Sequence, residues 1–204
     1  MLSVFQSTKV SCLFHLMDVN KDGSLQLNDL LELSDQVCKE LGYELGQHQY
    51  DELRRKLIRF YNQLVREIFP AQSQKIDASN WEDYEIGILD WIKYIDKEIV
   101  QAQDEDALAD LVSLMLGFIF GAYNEDHDGY LSRNDYEKIF TMFGINKEHS
   151  RAAYSKLDVN GDQKLSRYEL MMAIETFFTS NDPSEMGNWI FGNWITKDTP
   201  KWTD

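Results

Sequence analysis

One twelve-residue pattern occurs three times in this 204-residue chain and limits the folds that it can adopt. It reads DVNKDGSLQLND at residues 18–29, NEDHDGYLSRND at 124–135 and DVNGDQKLSRYE at 158–169. Each copy has oxygen-bearing side chains at places one, three and five, leucine at place eight and an acid at place twelve. Carboxylates gathered this closely repel one another unless a cation lies between them. The repeat therefore favours a metal site over an acidic surface turn.

Apolar residues at helical spacing flank the three copies. Those before the first copy are Val10, Leu13, Phe14 and Met17, at i, i+3, i+4 and i+7. Those after the copies are Leu30, Leu33, Val37 and Leu41; Tyr136, Ile139, Phe140 and Phe143; and Leu170, Ala173, Ile174 and Phe177. In SRND and SRYE a serine stands three residues before an acid, which is typical of a capped helix start. Each unit is therefore predicted to be a helix, a loop and a second helix.

These units resemble EF-hands, and we name their loops loop 1 (18–29), loop 3 (124–135) and loop 4 (158–169). Calcium takes six to eight oxygen ligands, which such a loop supplies from places one, three, five, seven (through its main-chain carbonyl), nine (often through water) and twelve. The predicted ligands are Asp18, Asn20, Asp22, Ser24, Gln26 and Asp29 in loop 1; Asn124, Asp126, Asp128, Tyr130, Ser132 and Asp135 in loop 3; and Asp158, Asn160, Asp162, Lys164, Ser166 and Glu169 in loop 4.

The three loops differ at places that matter for the ion. Asn124 removes one charge from loop 3. Asp29 and Asp135 are shorter than the glutamate common at place twelve, which makes bidentate calcium ligation harder and six-coordinate, magnesium-like geometry easier. Gln163 replaces the glycine of place six in loop 4 and is predicted to take a positive φ, at a cost of about 1–2 kcal/mol.

EF-hands normally pair through their eighth residues, so Leu131 is predicted to lie opposite Leu165. Loop 1 then needs a partner, and FPAQSQKIDASN (69–80) supplies one if Ile76 lies opposite Leu25. That register puts Phe69, Ala71 and Ser73 at ligand places and predicts a degenerate second hand without an ion.

Further features support this second hand. Asp77 is predicted to cap the helix that follows. The predicted apolar faces are Leu53, Leu57, Phe60 and Leu64 before the loop, and Trp81, Tyr84, Ile88, Trp91 and Ile95 after it.

Four hands with the second one silent resemble the family of sarcoplasmic calcium-binding proteins, calexcitin and calerythrin. The tail FFTSNDPSEMGNWIFG (177–192) is similar to the segment with which such proteins often end. The resemblance implies an all-α fold: four EF-hand units in two paired lobes forming one compact body. The predicted boundaries are 1–102 for the first pair of hands, 103–180 for the second pair and 181–204 for a tail packed on the body.

Composition excludes other classes of protein. With 35 acidic and 20 basic residues the net charge is -15, which argues against nucleic acid as a partner. No apolar run reaches the roughly 18 residues of a membrane span. The start lacks the features of a secretory signal, and two cysteines are too few for a disulfide framework, so we expect a cytoplasmic protein with reduced thiols. The absence of a nucleophile–base arrangement, a phosphate-binding glycine loop and zinc-like spacing indicates that it is not an enzyme.

Two roles remain open, and both are compatible with a monomer. One is a buffer of Ca²⁺ and Mg²⁺; the other is a sensor that exposes an apolar groove to an unidentified protein target. Seven methionines and 13% aromatic residues favour a rigid core, and the tail aromatics Trp189, Phe191 and Trp194 are suited to plugging a groove. A relationship to luciferin-binding proteins and photoproteins is the weaker alternative. Photoproteins hold their chromophore with groups that include a histidine and a tryptophan of the last helix, and ELMMAIETFFTS has neither.

The ligand sets predict three bound calcium ions, in loops 1, 3 and 4, and none in the second hand. Native mass spectrometry of the calcium-saturated chain should show three ions. A fourth bound ion would contradict the assignment of a silent second hand.

Overall fold

The computed structural model describes residues 1–70, 84–101, 105–123, 128–143 and 145–192. The α-helices in these ranges are α1 (Val4–Met17), α2 (Leu27–Leu41), α3 (His48–Ile68), α4 (Ile88–Tyr94), α5 (Glu105–Tyr123), α6 (Arg133–Met142), α7 (Glu148–Leu157) and α8 (Arg167–Thr179). Helix α4 continues as a π-helical segment (Ile95–Gln101), and a 3-10 helix (Met186–Trp189) follows α8. The strands are β1 (Ser24–Leu25), β2 (Ile86–Gly87), β3 (Tyr130–Leu131) and β4 (Leu165–Ser166). The predicted all-α class is confirmed.

The helix that follows loop 4 begins at the predicted capping box. The Oγ of Ser166 accepts a hydrogen bond from the amide of Glu169 at 3.2 Å, and the Glu169 carboxylate accepts one from the Ser166 amide at 2.9 Å. Ser132 and Asp135 make the same pair of bonds at the start of α6, at 3.2 and 3.1 Å. Each box pairs amides that a helix start leaves without partners, and it fixes the place-twelve acid at the edge of its loop.

The predicted apolar faces pack into one core. All four predicted residues of α1 and all four of α8 are buried. Leu41 and Phe143, at the ends of the other two faces, are only partly buried. The apolar stretch LVSLMLGFIFGAY lies in α5, which buries Leu111, Leu116 and Phe120 among the other helices. No helix in the described ranges is both long and apolar enough to cross a membrane.

The strands show one prediction to be right and one to be wrong. Leu131 lies opposite Leu165, as predicted. Leu25, however, lies opposite Ile86 rather than Ile76. Ile76 and Asp77 fall outside the described residues, as do Ala71 and Ser73.

The apolar faces predicted for the second hand are only partly confirmed. Leu53, Leu57, Phe60 and Leu64 are buried in α3, as predicted. Of the predicted second face, Trp91 and Ile95 are buried and Ile88 is partly buried. Tyr84 precedes α4, and Trp81 lies outside the described ranges.

Two buried tyrosines confirm the corrected register independently of the strands. The hydroxyl of Tyr154, on α7, lies 3.2 Å from the carbonyl oxygen of Leu131 and 2.7 Å from that of Gln163. The hydroxyl of Tyr61, on α3, approaches the carbonyl oxygens of Leu25 and Tyr84 in the same way. Tyr61 is therefore the counterpart of Tyr154.

The spacing of these groups explains why the predicted register was wrong. Tyr84 follows Tyr61 by 23 residues, whereas Gln163 follows Tyr154 by only nine. The second hand thus has 14 more residues between its buried tyrosine and its strand than the fourth hand has. The prediction had placed the second loop directly after its first helix.

A buried lysine joins the first helix to the end of the last one. Lys9 of α1 is fully buried, and its Nζ donates a hydrogen bond to the carbonyl oxygen of Ser180 at 2.7 Å. The ammonium also lies 5.5 Å from the ring centroid of Phe177, close enough for a cation–π contact. Burial lowers the pKa of Lys9 to about 8, while nearby Glu185 acts to raise it. A second contact between these segments is the 3.1 Å bond from Gln6 Nε2 to the carbonyl oxygen of Thr179.

The chain after α8 folds back on that helix. The hydroxyl of Tyr136 donates to the carbonyl oxygen of Ile190 at 2.9 Å, and the ring of Phe191 packs edge-on against Phe143 and Phe177. Gly187 touches the α8 backbone, since a Cβ there would overlap with Ala173 O and Phe177 N. The glycine of the GNW sequence is therefore required by the close approach of two main chains. Trp194 lies outside the described residues.

The substitution Gly187→Ala should destabilise the protein by roughly 1–3 kcal/mol, because the added methyl group forces the tail away from α8. Urea unfolding followed by tryptophan fluorescence would measure the change. Gly117→Ala is the matched control, since a Cβ at that position of α5 meets nothing within 4 Å. It should stabilise the helix by about 0.5–1 kcal/mol. Equal effects of the two changes would contradict the tail contact.

Candidate metal-binding loops

Loop 1 starts with a buried carboxylate that faces into the loop. Asp18 follows α1 and is 2% exposed. Its Oδ2 accepts a hydrogen bond from the amide of Gly23 at 3.1 Å. Its Oδ1 is buried and has no hydrogen-bond partner within the described part of the chain. A buried carboxylate oxygen without a partner is costly, and a cation is the partner that would remove the cost.

Loop 1 ends with an acid that ties both of its ends together. Asp29 is 1% exposed and lies in the first turn of α2. Its Oδ1 accepts bonds from the amides of Val19 and Asn20 at 3.1 and 3.2 Å, and its Oδ2 accepts one from Gln26 at 2.8 Å. Burial raises the pKa of Asp29, the amides of Gln26 and Asn20 act to lower it, and the neighbouring acids Asp18 and Asp22 raise it further. A bound cation would favour the ionised form.

The middle of loop 1 is a series of tight turns held by its own predicted ligands. Asn20 Oδ1 accepts a bond from the Asp22 amide at 2.9 Å, and Asp22 Oδ1 accepts bonds from the amide and hydroxyl of Ser24 at 2.9 and 2.8 Å. These bonds from Ser24 lower the pKa of Asp22. At place nine, the side-chain amide of Gln26 donates to Glu85 beside β2 at 3.1 Å.

Loop 4 repeats this geometry. Asp158 Oδ2 accepts from the amide of Gln163 at 3.0 Å, and its Oδ1 is again buried without a partner among the described residues. Glu169 is 5% exposed. Its Oε1 accepts from the Val159 amide at 3.1 Å, and its Oε2 accepts from the amide and hydroxyl of Ser166 at 2.9 and 2.7 Å. Two loops of different sequence thus place their first and last acids alike.

The turns of the two loops show a compensation that the sequence analysis missed. Gln163, at place six, has the predicted positive φ of 64°. Place four also needs a positive φ, which Lys21 (60°) meets in loop 1 and Gly161 (73°) meets in loop 4. Each loop therefore has one glycine and one residue with a Cβ at these two places. The strain of Gln163 is matched by that of Lys21, so loop 4 is not the more strained of the two.

Only places five to twelve of loop 3 (128–135) are described, so Asn124 and Asp126 lie outside the described residues. Asp128 Oδ1 accepts a bond from the Tyr130 amide at 2.8 Å, as at place five of the other loops. Asp135 Oδ2 accepts from Ser132, through the amide at 3.1 Å and the hydroxyl at 2.6 Å. Two ammonium groups lie beside these acids: Lys164 Nζ is 3.2 Å from Asp128 Oδ2, and Lys138 Nζ is 3.7 Å from Asp135 Oδ1.

The acidic side chains of each loop do not converge on a single point. In the ranges that the structure describes, no three acidic, histidine or cysteine side chains are gathered closely enough to hold a metal by themselves. The place-twelve acids instead bind loop amides. The groups that could complete a shell are the amide oxygens of Asn20 and Asn160 and the main-chain carbonyls of place seven. This mixture of oxygen types suits a hard cation such as calcium or magnesium.

Comparisons with known proteins agree with the geometry. No family model matches the sequence. Calerythrin from Saccharopolyspora erythraea is 19% identical over 177 residues, which cover 87% of this chain and 94% of that protein. The calcium-loaded apo form of the coelenterazine-binding protein from Renilla muelleri superposes with a TM-score of 0.70 at 16% identity, covering 94% of this chain and 99% of that one. A calcium-binding protein of Streptomyces coelicolor gives a TM-score of 0.65 at 18% identity, with 85% and 98% covered. The chain has an EF-hand fold, similar to that of these calcium-binding proteins. The predicted resemblance to calerythrin is confirmed.

The β1–β2 pair now defines the loop of the second EF-hand. Ile86 is its place eight, so Asp90 is place twelve, and the sequence puts Ser79, Trp81 and Asp83 at places one, three and five. The earlier assignment of Phe69, Ala71 and Ser73 to ligand places was wrong. Tryptophan offers no oxygen ligand, so a second hand without an ion stays a prediction, now carried by different residues.

Glu169→Gln should weaken calcium binding at loop 4 by at least about tenfold, because it removes a charged oxygen from the last place of the shell. Ser166→Ala is the matched control: it removes the capping hydroxyl, worth about 1 kcal/mol, and leaves the carboxylate. Isothermal titration of both variants with calcium would compare them. Equal losses of affinity would show that Glu169 is not a ligand.

Proposed function

We propose that this EF-hand protein binds calcium through loops 1, 3 and 4 and acts as an intracellular buffer of Ca²⁺ and Mg²⁺. The observation that carries the proposal is the pair of buried, unpartnered oxygens, Asp18 Oδ1 and Asp158 Oδ1, at the first places of two EF-hand loops. The other carboxylate oxygen of each of these two residues accepts a hydrogen bond from an amide of its own loop. The relatives support the ion, because two of the similar proteins are described as calcium-loaded or calcium-binding.

The proposed ligands occupy the same places in the three loop sequences. Asp18, Asn20, Asp22, the carbonyl of Ser24, Gln26 and Asp29 would hold an ion in loop 1. The equivalent set in loop 4 is Asp158, Asn160, Asp162, the carbonyl of Lys164, Ser166 and Glu169, and in loop 3 it is Asn124, Asp126, Asp128, the carbonyl of Tyr130, Ser132 and Asp135. Loops 1 and 3 end in aspartate, which can complete an octahedral magnesium shell with one oxygen. Magnesium at cellular, roughly millimolar, concentration would then occupy at least one of them.

The core between the helices supports a buffer over a sensor. A cavity of about 60 Å³ lies among α1 to α6, and its described lining residues are aliphatic, aromatic or methionine side chains. Phe191 of the tail is one of those residues, so the tail helps to close the cavity. A cavity that binds benzene has about 150 Å³. The interior thus has little free volume, whereas a sensor needs a groove that a partner can enter.

The sensor and the luciferin-binding alternatives each predict a different use of this cavity. A sensor would expose the cavity lining to a protein target when calcium binds. The luciferin-binding alternative draws on the coelenterazine-binding relative. The lining counts against it. Among its described residues only Trp91 has a side-chain nitrogen or oxygen, and the indole nitrogen of Trp91 already donates to the carbonyl oxygen of Val10 at 2.9 Å. The proposal also holds that the protein is a cytoplasmic monomer without enzyme activity, with Cys12 and Cys38 as free thiols.

Calcium added to the magnesium-saturated protein should produce little change in the fluorescence of an apolar dye such as ANS, because the buffer exchanges ions without opening its core. Phe191→Ala is the control for sensitivity. It removes a ring that packs against Phe143 and Phe177 at centroid distances of 5.7 and 5.5 Å, and it should raise dye binding with either ion. A large calcium-dependent rise in the unaltered protein would contradict the buffer and favour the sensor.

A further inference from the structure

Lys164 belongs to loop 4, but its side chain lies against loop 3. It occupies place seven, where the predicted ligand is the main-chain carbonyl, so the side chain has no part in the shell of its own loop. Its Nζ is 3.2 Å from Asp128 Oδ2 and 4.9 Å from the ring centroid of Tyr130. Asp128 and Tyr130 are places five and seven of loop 3. One side chain therefore connects the two loops of the pair.

The strand pairing explains why Lys164 reaches across. Strands β3 and β4 are antiparallel, with Tyr130 opposite Ser166 and Leu131 opposite Leu165. Lys164 directly precedes β4, so it stands beside the end of loop 3 that contains Asp128. The ion pair spans 36 residues of sequence and depends on this register.

The equivalent position in the other pair of loops has the opposite charge. Place seven of the second hand is Glu85, which directly precedes Ile86 of β2. Its Oε1 accepts a hydrogen bond from Gln26 of loop 1 at 3.1 Å. Loop 1 is therefore faced by a carboxylate, while loop 3 is faced by an ammonium.

Loop 3 has a second ammonium at its other described acid. Lys138 Nζ lies 3.7 Å from Asp135 Oδ1, and both side chains are less than a quarter exposed. Asp135 also accepts a bond from the Ser132 amide, as Asp29 and Glu169 do from the equivalent amides of their own loops. Both described acids of loop 3 thus lie beside a positive charge that a divalent cation must overcome.

We propose that Lys164 sets the order in which the loops fill: its ammonium competes for Asp128, so loop 3 binds calcium last and most weakly. This inference rests on the proposed calcium-binding function. A cation entering loop 3 releases the ammonium from Asp128, and the Tyr130 face remains as a contact for the displaced group. Because Lys164 is about half exposed, solvent screens its repulsion. We therefore expect removal of the charge to change affinity by roughly three- to tenfold rather than by orders of magnitude.

The test compares Lys164→Gln with the unaltered chain in a calcium titration followed by ¹⁵N-resolved NMR. The amides of Gly23, Gly129 and Gln163, at place six of loops 1, 3 and 4, report the three loops separately. In the unaltered chain the Gly129 signal should respond at the highest calcium concentration. In Lys164→Gln the calcium concentration at the Gly129 midpoint should fall roughly three- to tenfold, and the other two midpoints should change less. Added salt should reduce the difference in the Gly129 midpoint between the variant and the unaltered chain.

Two further variants serve as controls. Lys147→Gln makes the same charge change at an exposed lysine that pairs with Glu137 at 3.8 Å, away from the loop acids, and should leave the Gly129 midpoint unchanged. Lys164→Arg keeps the charge and should keep the midpoint within about twofold. The inference is overturned if Lys164→Gln leaves the Gly129 midpoint unchanged or if Lys147→Gln shifts it equally, and in both cases the calcium-binding function stands. If no loop responds to calcium in the unaltered chain, the proposed function fails as well.

Discussion

The acid at place twelve holds each described loop between its two helices. Asp29 accepts bonds from amides at both ends of loop 1, and Glu169 does the same in loop 4. These acids lie in the first turn of the following helix. The hydrogen bonds that close the loop therefore also fix the direction of that helix. Burial raises the pKa of Asp29, and the amides of Gln26 and Asn20 act to lower it. The proposed cation at the centre of the loop would add stabilisation there, so the fold and the proposed ion site depend on the same residue.

The two loops of each pair are joined by more than their strands. Tyr61 and Tyr154 each bring one hydroxyl to carbonyl oxygens of both loops in their pair. Burial raises the pKa of both tyrosines, that of Tyr154 to about 12, so the hydroxyls stay protonated at any physiological pH. Because the same contact occurs in both pairs, the second hand keeps its tyrosine contact and its strand pairing even though its sequence departs from the EF-hand pattern.

Charge distinguishes the two pairs of loops, although the chain as a whole is strongly acidic. A net charge of -15 attracts cations without selecting among loops. The proposed selection depends on local contacts: Glu85 faces loop 1, whereas Lys164 and Lys138 lie beside the acids of loop 3. An acidic protein can therefore contain loops of graded affinity, and a buffer with graded loops responds over a wider range of calcium concentration.

The sequence by itself determined the local features of this protein. The twelve-residue spacing, the serine caps of α6 and α8, the apolar faces and the positive φ of Gln163 all depend on residues within a few positions of one another, so a single chain displays them. The candidate ligands of loops 1 and 4 lie in the loop geometry that this spacing predicts, and the pairing of Leu131 with Leu165 followed because loops 3 and 4 are close in the sequence.

Only the tertiary structure decided which residues meet across longer stretches. The partner of Leu25 is Ile86 because the second hand has 14 more residues between its buried tyrosine and its strand than the fourth hand has. A longer connection costs little entropy, so its length leaves no local signal. The contact of Lys164 with Asp128, the burial of Lys9 against Ser180 and the close approach of Gly187 to α8 depend likewise on which backbones pack together. Periodicity specifies the face that an element buries, but the packing of distant elements specifies what that face touches.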